Sequence, residues 1–304
     1  MGVLVDQNTT FVIQGITGRE AVNMTRECLD YGSKIVGGVT PGRMGRDVYG
    51  VPVYDTVKQI TTKTKVDVSI VVVPPAFARD AVLEAIDAGI KLVIVVTERI
   101  PRAEVGQFLE YAELKGTRII GPNCLGMIVP GKVKIGGIGG PAADAKNAFK
   151  PGLVGIMSRS GGMTTEIANT LSASGLGVST AISMGGDPLI GSTYAEIFPL
   201  FEKDEQTKAV VIYSEPGGPY EAQLSKHIQA HKSRLPIVAF MAGRFMDSMP
   251  GMRFGHAGTI VEGKADTSAE KIVRLREAGI KVAETIPDIP KLVREALNER
   301  GVKV

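Results

Sequence analysis

The stretch RFGHAGTI sets His256, one of three histidines in 304 residues, between glycines that remove steric cover. Other groups can approach such an imidazole closely, although an ordinary turn residue would look the same. Glu215, at the end of the strand in VIYSEPGGP, is a carboxylate of the kind that orients an imidazole and stabilises its charged or phosphorylated form. Its bland alternative is a solvated acid at a helix entry. In GIMSRSGGMTTE a strand gives way to Ser158, Arg159, Ser160, Gly161 and Gly162 ahead of a helix. Two hydroxyls, a guanidinium and free amides at a positive helix end suit an oxyanion or phosphoryl group, if the turn is not purely structural. The G-x-S-x-G nucleophile elbow fails here, because Ser158 stands where glycine is required.

A second group lies in the first half of the chain. In QGITGREA, Gly15 and Gly18 turn a strand into a helix whose free amides suit a phosphate. The full G-x-G-x-x-G fingerprint is absent. So is the ribose-binding acid expected after the next strand, where GGVTPGR offers Arg43 instead. A cation there suits a phosphorylated ribose, as in NADP or coenzyme A. VVTERIP and IIGPNCLG also end strands on the ligand-binding edge. Cys124 has no histidine near it in sequence and reads as a small packing residue beside a ligand rather than a nucleophile. His227 and His231 share a helix face but lack a third ligand, so a solvated face is expected and no metal site. No G-x-x-x-x-G-K-[ST] loop occurs, so ATP chemistry would need a site on another chain.

The elements that position these residues follow from periodicity. Short Val/Ile-rich runs alternate with helical patterns throughout, and the runs are apolar on both faces, as in parallel sheets covered by helices. The expected fold class is α/β, with a Rossmann-like domain over residues 1–128 and a flavodoxin-like domain over 153–304. Between them the Gly/Pro/Ala-rich stretch 129–152 shows little periodicity and reads as a linker. Hydrophobic residues form 44% of the chain and charged residues 22%, ordinary for a soluble globular protein. A net charge of +3 points to neither nucleic acid nor a membrane surface as partner. Two distant cysteines, no signal-peptide pattern and no membrane-length apolar run lead to an expected cytoplasmic location.

These motifs, in this order, resemble the succinate–CoA ligase (succinyl-CoA synthetase) alpha-subunit family, within the superfamily that includes ATP-citrate lyase. The resemblance runs through GITG, VGGVTPG, EAIDAGIKL, TERIP, GPNC, SRSGG, GGDP, FEKD, SEPGG and GHAG, nearly the whole chain. It implies an N-terminal coenzyme A site lined by Thr17, Gly18, Arg19, Glu20, Arg43, Val96, Thr97, Glu98, Asn123 and Cys124. It implies a transient phosphohistidine at His256, oriented by Glu215, with Ser158 to Gly162 holding the phosphoryl group. It further implies a beta subunit whose ATP-grasp domain binds ATP or GTP with Mg²⁺, in an αβ or α₂β₂ assembly. The phosphoryl group would pass to a carboxylate, and the coenzyme A thiol would attack the acyl phosphate. Departures bear on substrate. SRSGGMTTE stands where the family has SRSGTLTYE, so Thr165 replaces a tyrosine near the carboxylate, and Arg43 replaces a lysine. SRSGGM and FGHAG are closer to citrate-activating relatives. Succinate is therefore the leading substrate, with citrate, malate or another acid as the alternative. An NAD(P)-binding oxidoreductase or sensor and a non-catalytic coenzyme A-binding regulator are the readings from other classes.

Overall fold

The computed structural model describes residues 2–252 and 254–303. Seven strands form the first sheet: β1 (Thr10–Gln14), β2 (Lys34–Val39), β3 (Asp47–Val48), β4 (Val51–Tyr54), β5 (Val68–Val71), β6 (Leu92–Val95) and β7 (Arg118–Ile120). Their spatial order is β3-β4-β2-β1-β5-β6-β7. All pairs are parallel except the two-residue edge strand β3. Without β3 this is the strand order of doubly wound dinucleotide folds, in which ligands bind outside the carboxyl ends of the strands. Four helices pack on the sheet: α1 (Arg19–Tyr31), α2 (Val57–Thr61), α3 (Pro75–Asp87) and α4 (Arg102–Lys115). Val12, Val71, Val82, Val93 and Phe108 are at most 1% exposed in the layer beneath α3 and α4. Burial on both faces explains why these strands lack a polar side.

The second sheet comprises β8 (Met127–Val129), β9 (Val133–Ile135), β10 (Pro151–Ser158), β11 (Val178–Ser183), β12 (Ala209–Ser214), β13 (Ile237–Met241) and β14 (Lys281–Ala283). Its order, β14-β13-β12-β10-β11-β8-β9, contains the flavodoxin arrangement 2-1-3-4-5 in the five parallel strands. The helices are α5 (Ala142–Ala148), α6 (Gly161–Ala173), α7 (Tyr194–Lys203), α8 (Tyr220–Ala230), α9 (Ser268–Glu277) and α10 (Ile289–Asn298). Residues 129–152, expected to be an irregular linker, instead complete β8, supply β9 and α5, and lead into β10. β8 and β9 extend the second sheet as antiparallel strands. These strands are three residues long, too short for a period-2 pattern to register.

One apolar cluster contains Phe11, Ile13, Met24 and Cys28 from the first half with Met127, Ile135, Met157 and Ile182 from the second. The carboxyl edges of the two sheets are stitched together as well. The Gly121 amide donates to the Met184 carbonyl, Gly191 to Gly121, and Gly186 to Asn123, at 2.8–3.2 Å. This seam brings ligand-binding edges from both sheets to one place. No helix among the described residues is long and apolar enough to cross a membrane.

Candidate active site

His256 and Glu215, 41 residues apart in sequence, meet in the second domain. Glu215 follows the fully buried strand β12, whose position beside β10 and β13 sets where the carboxylate emerges. His256 lies on the loop after β13, preceded by Gly255 at φ +67°, a left-handed conformation that a residue with a side chain rarely adopts. Nδ1 of His256 lies 2.9 Å from Oε2 of Glu215, which also accepts from Thr259 Oγ1 at 3.4 Å. The carboxylate is an acceptor, so the neutral ring places its proton on Nδ1 and leaves the Nε2 lone pair free. The hydrogen bond to Glu215 raises His256 above its ordinary value of 6.5, against the opposing effect of burial. Gly186 backs the ring so closely that a Cβ there would come within 2.5 Å of it.

The SRSGG turn joins β10 to α6. Ser160 caps α6, its Oγ accepting from the Met163 amide at 3.4 Å. The Ser158 hydroxyl donates to the Ser160 carbonyl at 2.7 Å and accepts from the Ser160 amide at 3.2 Å. Fully buried Ser158 therefore braces the turn. A Cβ on Gly161 would collide with Leu125, whereas Gly162 faces open space. Thr165 is half-buried one turn into α6. Arg159 is 4% exposed; its Nη2 donates to the Asp187 carbonyl at 3.0 Å and its guanidinium carbon lies 4.7 Å from the centre of the Tyr220 ring. Its Nη1 is buried with no partner among the described residues. A buried donor left unpaired is costly.

In the first domain, Gly18, Arg19 and Glu20 at the start of α1 line a cleft of about 600 Å³ together with Val96, Thr97, Glu98 and Leu125. Gly18 is the N-cap of α1 without a side-chain cap, so the helix presents open amides to this cleft. Thr17 borders an adjoining apolar hollow of about 540 Å³ with Thr40, Val72 and Phe77. Three expected positions do not line these clefts. Arg43 is exposed on the loop after β2. Cys124 is 3% exposed, its thiol donates to the Val95 carbonyl at 3.2 Å, and burial pushes it up to about 12. Here it packs in the interior. Asn123, at φ +57°, turns toward the second domain, where its Nδ2 donates to Asp187 Oδ1 at 3.0 Å.

Asp187 lies in the GGDP motif, where no local pattern in the sequence sets it apart from an ordinary loop acid. Burial raises its pKa, and the neighbouring Glu98 adds to this against Asn123, Arg159 and His256. It therefore stands at the seam between the first-domain cleft and the His256–Arg159 group. The other two histidines stack at 4.5 Å near the end of α8 and take no part in this group.

The model of the CoA binding domain family matches residues 6–99, and the CoA-ligase family model matches residues 157–281. A succinate–CoA ligase [ADP-forming] subunit alpha 1 from Archaeoglobus fulgidus is 43% identical over 299 residues, 98% of this chain and 99% of the relative. The corresponding alpha subunit from Staphylococcus aureus is 41% identical over 302 residues, 99% and 97% of the two chains. Among solved structures, ATP citrate lyase from Methanothrix soehngenii, in complex with citrate and coenzyme A, superposes with a TM-score of 0.90 at 25% identity. That match covers 98% of this chain, which spans about half, 51%, of the lyase. A Korarchaeum acetyl-coenzyme A synthetase shares the fold, with a TM-score of 0.72 at 20% identity.

A coenzyme A-binding domain followed by a CoA-ligase domain, on two joined parallel sheets, defines an acid–CoA ligase chain. The match over nearly full length goes further: the chain belongs to the succinate–CoA ligase alpha-subunit family. The oxidoreductase reading of its first half gives way to this.

Proposed function

We propose that this chain is the alpha subunit of an ADP- or GDP-forming succinate–CoA ligase that carries a phosphoryl group on Nε2 of His256. One observation carries the reading: the Nδ1–Glu215 bond leaves Nε2 as the free nucleophile on a loop that remains partly open. In the thioester-forming direction, Nε2 takes the γ-phosphoryl of ATP or GTP and releases the diphosphate. Glu215 then stabilises the positive charge on the phosphorylated ring. The succinate carboxylate attacks phosphorus, freeing Nε2 and giving succinyl phosphate. The coenzyme A thiol loses its proton, its sulfur attacks the acyl carbon, and phosphate leaves. Splitting the activation in this way replaces one difficult step by two easier ones.

Other residues take roles around this route. The unpaired Nη1 of Arg159 and the positive end of α6 offer a resting place for the phosphoryl group or the carboxylate. The open amides of α1 and the exposed Arg19 suit the phosphates of coenzyme A, with Thr17, Gly18, Glu20 and Val96 to Glu98 shaping the cleft. Arg43 is exposed and close in sequence to Thr40 on the adjoining hollow, so it can reach a phosphorylated ribose only from the rim. The nucleotide and Mg²⁺ belong to an ATP-grasp beta subunit, in an αβ or α₂β₂ enzyme of the cytoplasm. The coenzyme A-binding domain is assigned to residues before 129 and the ligase domain to residues from 153 onward, the segment between them contributing to the second sheet.

A second reading keeps the mechanism and changes the acid. Thr165 replaces the expected tyrosine at a half-buried position one turn into α6, and the smaller side chain makes room for a bulkier acid such as citrate or malate. The likeness to a citrate-activating lyase favours the same alternative.

The test uses the chain with its beta partner, labelled ATP and Mg²⁺. Acid-labile, base-stable label is expected on this chain and absent in His256→Asn; equal labelling of that variant refutes the carrier assignment. A panel of succinate, citrate, malate and acetate then identifies the acid. Turnover on citrate with none on succinate overturns the leading substrate.

A further inference from the structure

We infer that Lys271 is a positioning residue for the phosphoryl carrier, acting through the backbone of Glu215; the inference rests on His256 being that carrier. Lys271 lies on α9 and is 2% exposed. An ammonium has three N–H donors, and here all three find acceptors. They reach the Glu215 carbonyl at 2.9 Å, the Gly217 carbonyl at 2.5 Å and Glu221 Oε2 at 2.6 Å. Glu221, on α8, is itself 1% exposed. The cation therefore does more than pair α8 with α9: two of its three bonds hold the turn from which the Glu215 carboxylate projects toward His256.

The same turn touches the His256 loop directly. Gly217, at φ +83°, packs so tightly that a Cβ on it would approach the Gly258 carbonyl oxygen at 2.5 Å and that of Ile260 at 2.7 Å. Its amide donates to the Asp266 carbonyl at 3.0 Å, just ahead of α9. Asp247, on the segment leading to His256, caps α9 by accepting from the Ser268 and Ala269 amides at 2.7 and 3.0 Å. The start of α9 is thus a common anchor for the Glu215 turn and for the segment that carries the histidine. A buried salt bridge between two helices needs only the carboxylate. The bonds to two carbonyls of the active-site turn point to a role in setting the Glu215–His256 distance.

Lys271→Met alone leaves Glu221 charged and unpaired in the interior, so the informative variant is Lys271→Met with Glu221→Leu, which removes both charges. Glu221→Gln is its control, because it keeps the bonds from Lys271 to the turn. In the complex with the beta subunit, the double variant is expected to retain coenzyme A affinity. It should lose about tenfold in the rate of His256 phosphorylation and shift the histidine titration midpoint downward. Glu221→Gln, which keeps an amide acceptor for Lys271 and both of its bonds to the turn, should move midpoint and rate less than the double variant does. A folded double variant with parental rate and midpoint overturns the proposal and leaves Lys271 purely structural. If the double variant does not fold, Lys271→Arg replaces it: a planar fork cannot copy the ammonium's three-way bonding, so an unmoved midpoint there also overturns it. Failure of the underlying reading looks different, since His256→Asn would then still take up label.

Discussion

Replacing Glu215 by Gln preserves the size of the side chain and one acceptor oxygen while removing its charge. The carboxylate accepts from His256 Nδ1 at 2.9 Å, and the two side chains are 12% and 26% exposed, so solvent screens the pair only in part. A hydrogen bond to a charged group contributes about 1.5–3 kcal/mol, and the remaining exposure favours the lower end. Removing that charge therefore lowers the pH at which the histidine titrates in the variant. Burial, which in the parent is outweighed by the bond to Glu215, would then push it below 6.5. Nε2 is a nucleophile only in the neutral ring, so phosphorylation of the parent should rise with pH through its elevated midpoint. In Glu215→Gln that limb moves to lower pH, and the plateau falls about tenfold as the phosphorylated ring loses its counter-charge. The assay is single-turnover labelling across pH in the complex with the beta subunit, paired with an NMR titration of His256. An unchanged midpoint and plateau would refute the claim that Glu215 tunes the imidazole. Folding stability offers an independent check. A histidine with a raised folded-state pKa stabilises fully below 6.5, and that contribution is lost as pH rises through the folded-state value. Melting temperatures of the variant should therefore show a weaker decline over that window than those of the parent.

Gly186→Ala places a methyl group within 2.5–2.8 Å of three His256 ring atoms and should displace the ring. Phosphorylation should fall at least about tenfold while calorimetric coenzyme A binding persists; full activity would show that the loop yields without cost. Arg159→Met keeps the buried stem but removes the guanidinium from the Asp187 carbonyl and the Tyr220 ring. A loss of about ten- to a hundredfold in acid-dependent turnover is expected, with coenzyme A affinity retained, and parental kinetics would exclude an anion at Nη1. Gly15→Ala, at φ +86° against the Val72 carbonyl, should destabilise by about 1 kcal/mol or more and weaken coenzyme A binding. Thermal melting and calorimetry that both match the parent would remove this turn from the binding site.

Much of this protein was legible in its residue order. Alternating apolar runs and amphipathic segments determined a pair of α/β layers, and Gly15, Gly18 and the SRSGG run marked where strands turn into helices. Local rules suffice there, because a strand buried on both faces must be apolar and a tight turn needs glycine. The ordered motifs also identified the family and singled out His256 and Glu215, which the structure brings within 2.9 Å of each other. Tertiary structure alone decided what the chain's three-residue strands and buried charges do. Residues 129–152 join the second sheet because β9 pairs with β8, and β8 in turn finds its partner in β11 through Met127–Ile182 and Ile128–Ala181, a long-range pairing that leaves no local period. The Ser158 hydroxyl is consumed by its own turn, and Arg43 stays on the surface, facts that depend on side-chain direction rather than residue type. Asp187 and Lys271 look like ordinary charges on a loop and a helix. Only the seam between the sheets buries one against Asn123, and only the packing of α9 under the Glu215 turn gives the other its three acceptors. Desolvation and hydrogen-bond geometry act on groups that folding brings together, and sequence spacing carries neither.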